Sequence, residues 1–151
     1  MGKKDTPKNG PSEKLVHDCL NARHSPIRVF NFAFLIEDIP SNTSVHLCRH
    51  VHAVPFVSSL RNDRQFKIDG DKAPRDTPVD MIFYCNAEEL MTIANKRLCN
   101  KAAPLTRKAT QMMCLEALDK MPELMGLLVS MCQYHGGVCH EIQGCGKCAH
   151  G

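Results

Sequence analysis

Apolar positions in the first half of the chain recur with a period of two, and in the second half with a period near 3.6. In residues 27–36, IRVFNFAFLI, Phe30, Phe32, Phe34 and Ile36 share one face, while Ile27, Val29, Ala33 and Leu35 share the other. Both faces are apolar, which predicts a central strand covered on each side. The turn segment EDIPSNTS leads into SVHLCRHVHAV, which reads as a second strand, and its short connection suits antiparallel pairing with the first. A third strand is expected at residues 78–85, PVDMIFYC.

The period then changes. Asn86 followed by Glu89 has the form of a helix cap with an acidic residue at the third position, ahead of Leu90, Ile93, Ala94, Arg97 and Leu98 at helical spacing. Thr106 can cap a second helix that carries Met112, Met113 and Ala117 inward. A third helix is expected from Pro122, with Leu124, Leu127, Leu128, Met131 and His135 on its inner stripe and Gly136-Gly137 as its stop. The pattern predicts an α+β fold: an N-terminal antiparallel β segment, then three helices, then a zinc-stabilised Cys/His-rich C-terminal tail. The chain divides accordingly into a flexible basic N-terminus (1–14), an α+β body (15–131) and a zinc-binding module packed on the last helix (132–151).

Composition narrows the class. A 151-residue chain with 43% hydrophobic residues can build one ordered core without covalent staples. The net charge of +3 permits an anionic partner without demanding one. No apolar segment follows the basic start MGKKDTPKNGPSEK, so a cytoplasmic location is expected, with nuclear or membrane association as variants. Nine cysteines in a reducing compartment point to metal ligands rather than disulfides. The start MGKKDT also fits the myristoylation pattern at Gly2, and a membrane partner follows only if that glycine is acylated.

The densest chemistry lies in the tail, CQYHGGVCHEIQGCGKCAHG. Cys132 and His135 are spaced i, i+3 at the expected helix end, and Cys145-Gly-Lys-Cys148 forms a C-x2-C turn nine residues later. Two ligands from a helix end and two from a knuckle make the tetrahedral Cys/His set that Zn2+ prefers, with Cys139, His140 and His150 as substitutes. A second cluster, His46, Cys48, His50 and His52, shares one face if its segment is a strand. It becomes a second metal site only with help from His17, Cys19 or His24, and a plain half-exposed histidine strand explains it as well. Cys85, Cys99 and Cys114 lie among apolar residues and read as small core hydrophobes, as do most of the methionines.

Residues 95–109 hold Lys96, Arg97, Lys101, Arg107 and Lys108 without an acid, an arrangement suited to an anionic ligand or a nucleic-acid backbone. Walker, G-x-S-x-G, H-E-x-x-H and deaminase motifs are absent, so no motif assigns a reaction class. The sequence therefore favours a zinc-binding regulatory or interaction protein of the cell interior, possessing a protein partner and resembling viral accessory proteins in composition. An RNA- or single-strand-binding protein and a small Cys/His hydrolase are the alternatives.

Overall fold

The computed structural model describes residues 10–65 and 68–150. Gly2, and with it the acylation pattern, lies outside the described residues. A short helix α1 (Glu13–Asn21) begins at Ser12, whose hydroxyl accepts the Leu15 N–H. A 3-10 turn (Ser25–Val29) then delivers the chain to β1 (Asn31–Pro40). Helix α2 (Ser41–Cys48) follows, then β2 (Val54–Val57) and β3 (Pro78–Asn86). The second half holds α3 (Ala87–Arg97), α4 (Pro104–Lys120), a 3-10 turn (Pro122–Leu124), α5 (Met131–Tyr134) and the two-residue strands β4 (Val138–Cys139) and β5 (Ala149–His150). Mixed α+β architecture with an antiparallel sheet is therefore correct, but among the described residues five α-helices stand where three were expected.

The sheet order is β1-β3-β2, with both pairings antiparallel. Alternation dictates why β3 is central: Val79, Met81, Phe83 and Cys85 are buried, and Asp80, Ile82 and Tyr84 face out. Helices cover the inner face alone. Ala33 and Leu35 of β1 stay exposed while Phe32, Phe34 and Ile36 are half-buried, so the strand expected to be covered on both sides is covered on one. A bulge between Ile36 and Ile39 places Asp38 at φ 52, and its N–H donates to the Asp80 carboxylate at 3.1 Å. Aspartate tolerates this left-handed conformation because its short polar side chain can settle locally.

Asn86 caps α3 as its spacing predicts, accepting the Glu89 N–H at 2.9 Å. Helix α3 buries Leu90, Met91, Ile93 and Ala94, and α4 buries Thr106, Thr110, Met113, Cys114 and Ala117 at helical spacing. Each fully buried aliphatic or aromatic side chain contributes about 2 kcal/mol from lost water contact. Cys85 and Cys114 belong to this core, and burial pushes both thiols up to about 12. Cys99 is half-buried, and Met112 and Met125 are exposed rather than core filler.

Two elements differ in kind from expectation. The histidine strand is the helix α2 and a following turn, and β1 pairs with β3 instead of with it. The third long helix is a 3-10 turn, a loop and the four-residue α5. Leu124, Leu127 and Leu128 are buried as the apolar stripe requires, but Gly126 adopts φ +78, which ends helical progression, and Ser130 starts a new capping box. Among the described residues no helix is long and apolar enough to cross a membrane.

Candidate functional site

The most constrained polar side chains meet where α2 packs on α3 and α4. Glu89 is 4% exposed, on the inner face of α3. His50, just past α2, places Nδ1 at 3.3 Å from Glu89 Oε1. On its other side, Arg97 Nε–H donates to His50 Nε2 at 3.0 Å, and Arg97 Nη2 donates to the His46 carbonyl at 2.8 Å. His46 in turn hydrogen-bonds through Nδ1 to buried Thr106 at 3.0 Å. A carboxylate, an imidazole and a guanidinium thus form a chain tying α3 to the end of α2.

This geometry sets the state of each group. Glu89 favours an imidazolium, but Nε2 already accepts from Arg97 and has no place for a proton of its own. Burial first and Arg97 second push the His50 pKa down to about 4, so the ring is neutral with its Nδ1–H toward Glu89. Burial raises the Glu89 carboxyl, and burial together with Arg49 lowers the Arg97 guanidinium.

Arg49 caps the C-terminal end of α2, where the helix dipole favours a cation. It lines a pocket of about 540 Å³ whose walls are largely apolar (Val45, Val57, Leu60, Val79), with Arg75, Asn42 and Ser58 among its polar groups beside the start of α2. The walls are fixed by backbone. Segment 75–77 is stitched to the start of α2, because the Arg75 carbonyl accepts from Asn42 N–H at 2.9 Å and Ser41 Oγ at 2.8 Å. The Thr77 carbonyl accepts the Ser41 N–H at 3.0 Å. Ser58 Oγ accepts the Asp80 N–H at 2.9 Å, leaving its own hydroxyl proton to donate. The Arg49 and Arg75 guanidinium groups make no hydrogen bond or ion pair among the described residues. Two unpaired guanidiniums beside hydroxyls and an amide suit a phosphate-bearing ligand. Neither arginine was singled out from sequence. The Ser-Asn-Thr run after Pro40 is a helix-start signal that could have pointed to α2 and hence to Arg49.

The sequence-selected clusters are dispersed. His46 and His50 join the buried chain, Cys48 lies exposed at the Arg49–Arg75 pocket, and His52 sits beside Glu88 and Glu89. His17 donates through Nδ1 to the Glu123 carbonyl at 2.8 Å, Cys19 is half-buried and His24 is exposed. In the tail, Cys132 lies in α5, His135 is its exposed C-cap, Cys139 is buried in β4, and Cys145 and Cys148 are half-buried. His135 and His140 meet edge to face at 5.2 Å, and His150 sits in β5. The Cys132 sulfur is 3.3 Å from Ser130 Oγ. Ser130 and Cys148 lower the Cys132 thiol, while Cys132 pushes Cys148 up to about 11. Among the described residues, no group of three or more His, Cys, Asp or Glu side chains is placed to hold a metal ion. The expected zinc centre and zinc-finger character are corrected accordingly: His135, the C-cap of α5, is exposed, and the tail thiols do not assemble into a metal-holding set among the described residues.

The basic run is likewise divided. Arg97 points inward, Lys96 pairs with Glu141 at 3.7 Å, Lys101 donates to the Gln143 carbonyl at 2.7 Å, and Arg107 donates to the Asn100 carbonyl at 3.2 Å. Lys108 lines an apolar groove of about 690 Å³ between β1 and α4.

No family model matches the chain, and no curated protein matches it in sequence. Solved structures share its fold. The UMP/dUMP methylase PolB from Streptomyces cacaoi, bound with 5-Br dUMP, superposes with a TM-score of 0.66 at 16% identity, over 83% of this chain and 85% of its own. Flavin-dependent thymidylate synthase ThyX from Helicobacter pylori, complexed with FAD and dUMP, superposes with a TM-score of 0.58 at 18% identity, over 80% and 82%. A second structure of that enzyme with FAD and dUMP gives 0.60 at 18% identity, over 86% of each chain. The likeness is one of fold. It corrects the reading as a zinc-binding regulatory protein, along with its RNA-binding and Cys/His hydrolase alternatives and zinc as the cofactor.

Proposed function

We propose that this chain is a nucleotide-methylating enzyme that takes a uridine-type monophosphate and works with a flavin. The observation that carries the reading is the pair of unpaired guanidiniums, Arg49 and Arg75, on one pocket of a fold whose solved neighbours hold dUMP and FAD. A phosphate accepts two parallel N–H bonds from a guanidinium, and such charge-assisted bonds are about twice as strong as neutral ones. Asn42 and Ser58 provide the amide and hydroxyl that orient the uncharged part of the ligand.

Arg49, Arg75 and Ser58 would accept the pyrophosphate of a flavin dinucleotide only in place of the monophosphate, one ligand at a time. When bound, a flavin supplies hydride transfer. The chain's own work is positioning. Glu89, His50 and Arg97 hold the His46 carbonyl and so fix the last turn of α2, from which Arg49 projects. Arg97 adds positive potential behind Arg49, which favours an anion and disfavours a neutral nucleoside.

Equilibrium dialysis against dUMP, UMP and FAD tests the reading. Saturable binding is expected, weakened about tenfold or more by Arg49→Ala and by Arg75→Ala, with the free nucleoside binding far more weakly. Absence of saturable binding to each of these nucleotides at about millimolar concentration would overturn the proposal.

A further inference from the structure

We infer that the exposed face of α4 is the docking surface for a second copy of this chain, the two helices packing antiparallel about a twofold axis at Met112. This surface shares no lining residue with the Arg49–Arg75 pocket, so failure of nucleotide binding would leave it standing. Along one face of α4 an apolar stripe coincides with a segregated pair of charges. Leu105, Met112 and Leu115 recur at the seven- and three-residue spacing of a coiled-coil seam. All three are more than half exposed, while Thr106, Thr110, Met113, Cys114 and Ala117 of the same helix are buried. Beside the stripe runs the groove of about 690 Å³, with Phe34, Ile36 and Ala109 in its lining, which offers a recess to the side chains of a facing helix.

Charge on this face says what covers it. Lys108 stands one turn into α4, no acid occupies the first turn, and Glu116 and Asp119 lie toward the C-terminal end. A helix carries positive potential at its N-terminus and negative potential at its C-terminus, so each sign sits at the end that repels it. Asp119 is answered by Lys120 at 2.7 Å. Lys108 and Glu116 make no hydrogen bond or ion pair among the described residues, and both are exposed.

An antiparallel copy removes this mismatch. Lys108 and Glu116 each lie four residues from Met112, on either side of it. A twofold axis there brings Lys108 of each copy alongside Glu116 of the other. Two ion pairs then flank a contact between the two Met112 side chains, and the helix dipoles oppose each other favourably. A parallel pair would set lysine against lysine and glutamate against glutamate. A partner of one uniform charge would satisfy one of the two residues and repel the other. The face is complementary to itself, as an isologous contact requires. Its 17 residues span about 25 Å, which places one helix per copy with its groove rim at the small end of specific interfaces, below about 1,200 Å². Dimerisation is therefore expected at about 10–100 µM rather than at nanomolar concentration.

Sedimentation velocity of the full chain from about 1 to 100 µM, in about 0.1 M salt, tests the inference. A reversible shift from monomer to dimer is expected across this range. Lys108→Glu and Glu116→Lys should each weaken it about tenfold or more, because the twofold axis sets like charges together twice. The double variant carrying both changes should dimerise about as well as the wild-type chain. Either single change suits the dipole of α4 itself, so the thermal midpoint of the monomer should not fall, which separates loss of contact from loss of fold. A chain that stays monomeric at about 100 µM would overturn the inference and leave this face to a different partner. So would a dimer indifferent to the single changes, or one that the double variant fails to restore.

Discussion

Arg97 and Lys101 are four residues apart in the same basic run, and both donate to a backbone carbonyl, His46 at 2.8 Å and Gln143 at 2.7 Å. The equality of these bonds conceals opposite circumstances. Arg97 enters the junction of α2 and α3, where Glu89 and His50 are nearly closed off from water, and the local order depends on every member being paired. Lys101 reaches across an exposed tail whose carbonyl could turn to water instead. The number of partners per side chain is similar in the two regions, yet what is lost on removal differs. At the junction a lost partner strands a desolvated group, and in the tail water replaces it.

The largest expected effect follows from this asymmetry. Arg97→Met keeps the length of the side chain and removes the donors to His50 Nε2 and the His46 carbonyl. Leaving those acceptors without a donor at the part-buried junction should cost about 3 kcal/mol of unfolding free energy. Urea denaturation measures it directly. A loss below about 1 kcal/mol would mean that the junction behaves like the tail, and the contrast would collapse.

The His50 ring gives the next effect, and its sign is fixed by the lowered pKa. A folded value of about 4 lies below the unfolded value of 6.5, so between these limits the unfolded chain binds more protons than the folded one. Stability from this ring is therefore complete above pH 6.5 and is lost as pH falls toward 4, by about 3 kcal/mol in all. The Glu89 carboxyl, raised by burial, acts in the opposite sense at the lower end of the window. Denaturation curves across this range should thus flatten in His50→Gln and steepen in Glu89→Gln, which removes the opposing titration while keeping an acceptor oxygen.

The same asymmetry governs what could be read from the sequence. Strand β3 and helix α3 were legible because one dominant signal marks each: strict alternation through Val79, Met81, Phe83 and Cys85, and the Asn86 cap ahead of Leu90. Helix α2 was not. In eight residues neither period dominates, and the spacing of His46, Cys48 and His50 fits a strand at i, i+2 and a helical turn at i, i+4 equally well. The Arg49–Arg75 pocket was invisible for a different reason. It depends on Ser41 and Asn42 bonding to carbonyls more than thirty residues later, a pairing that no local pattern encodes. In the tail, ligand-type residues crowd the sequence, but Gly136 and Gly137, both at positive φ, redirect the chain after α5. Crowding along a chain is not convergence in space.

The smallest effect completes the comparison and is the sharpest test of it. Lys101→Met removes one bond as short as either of the two lost in Arg97→Met, from a nearby position in the same basic run. Exposure should reduce its global cost to below about 1 kcal/mol, because the Gln143 carbonyl gains water in exchange. The consequence should be local: amide hydrogen exchange should rise in residues 141–149 and stay unchanged in α3, while in Arg97→Met α2 and α3 should open together. If Lys101→Met instead destabilised the whole chain as much as Arg97→Met, the tail would be part of the cooperative core. The division between a junction held by mutual desolvation and a tail held by exchangeable contacts would then be lost.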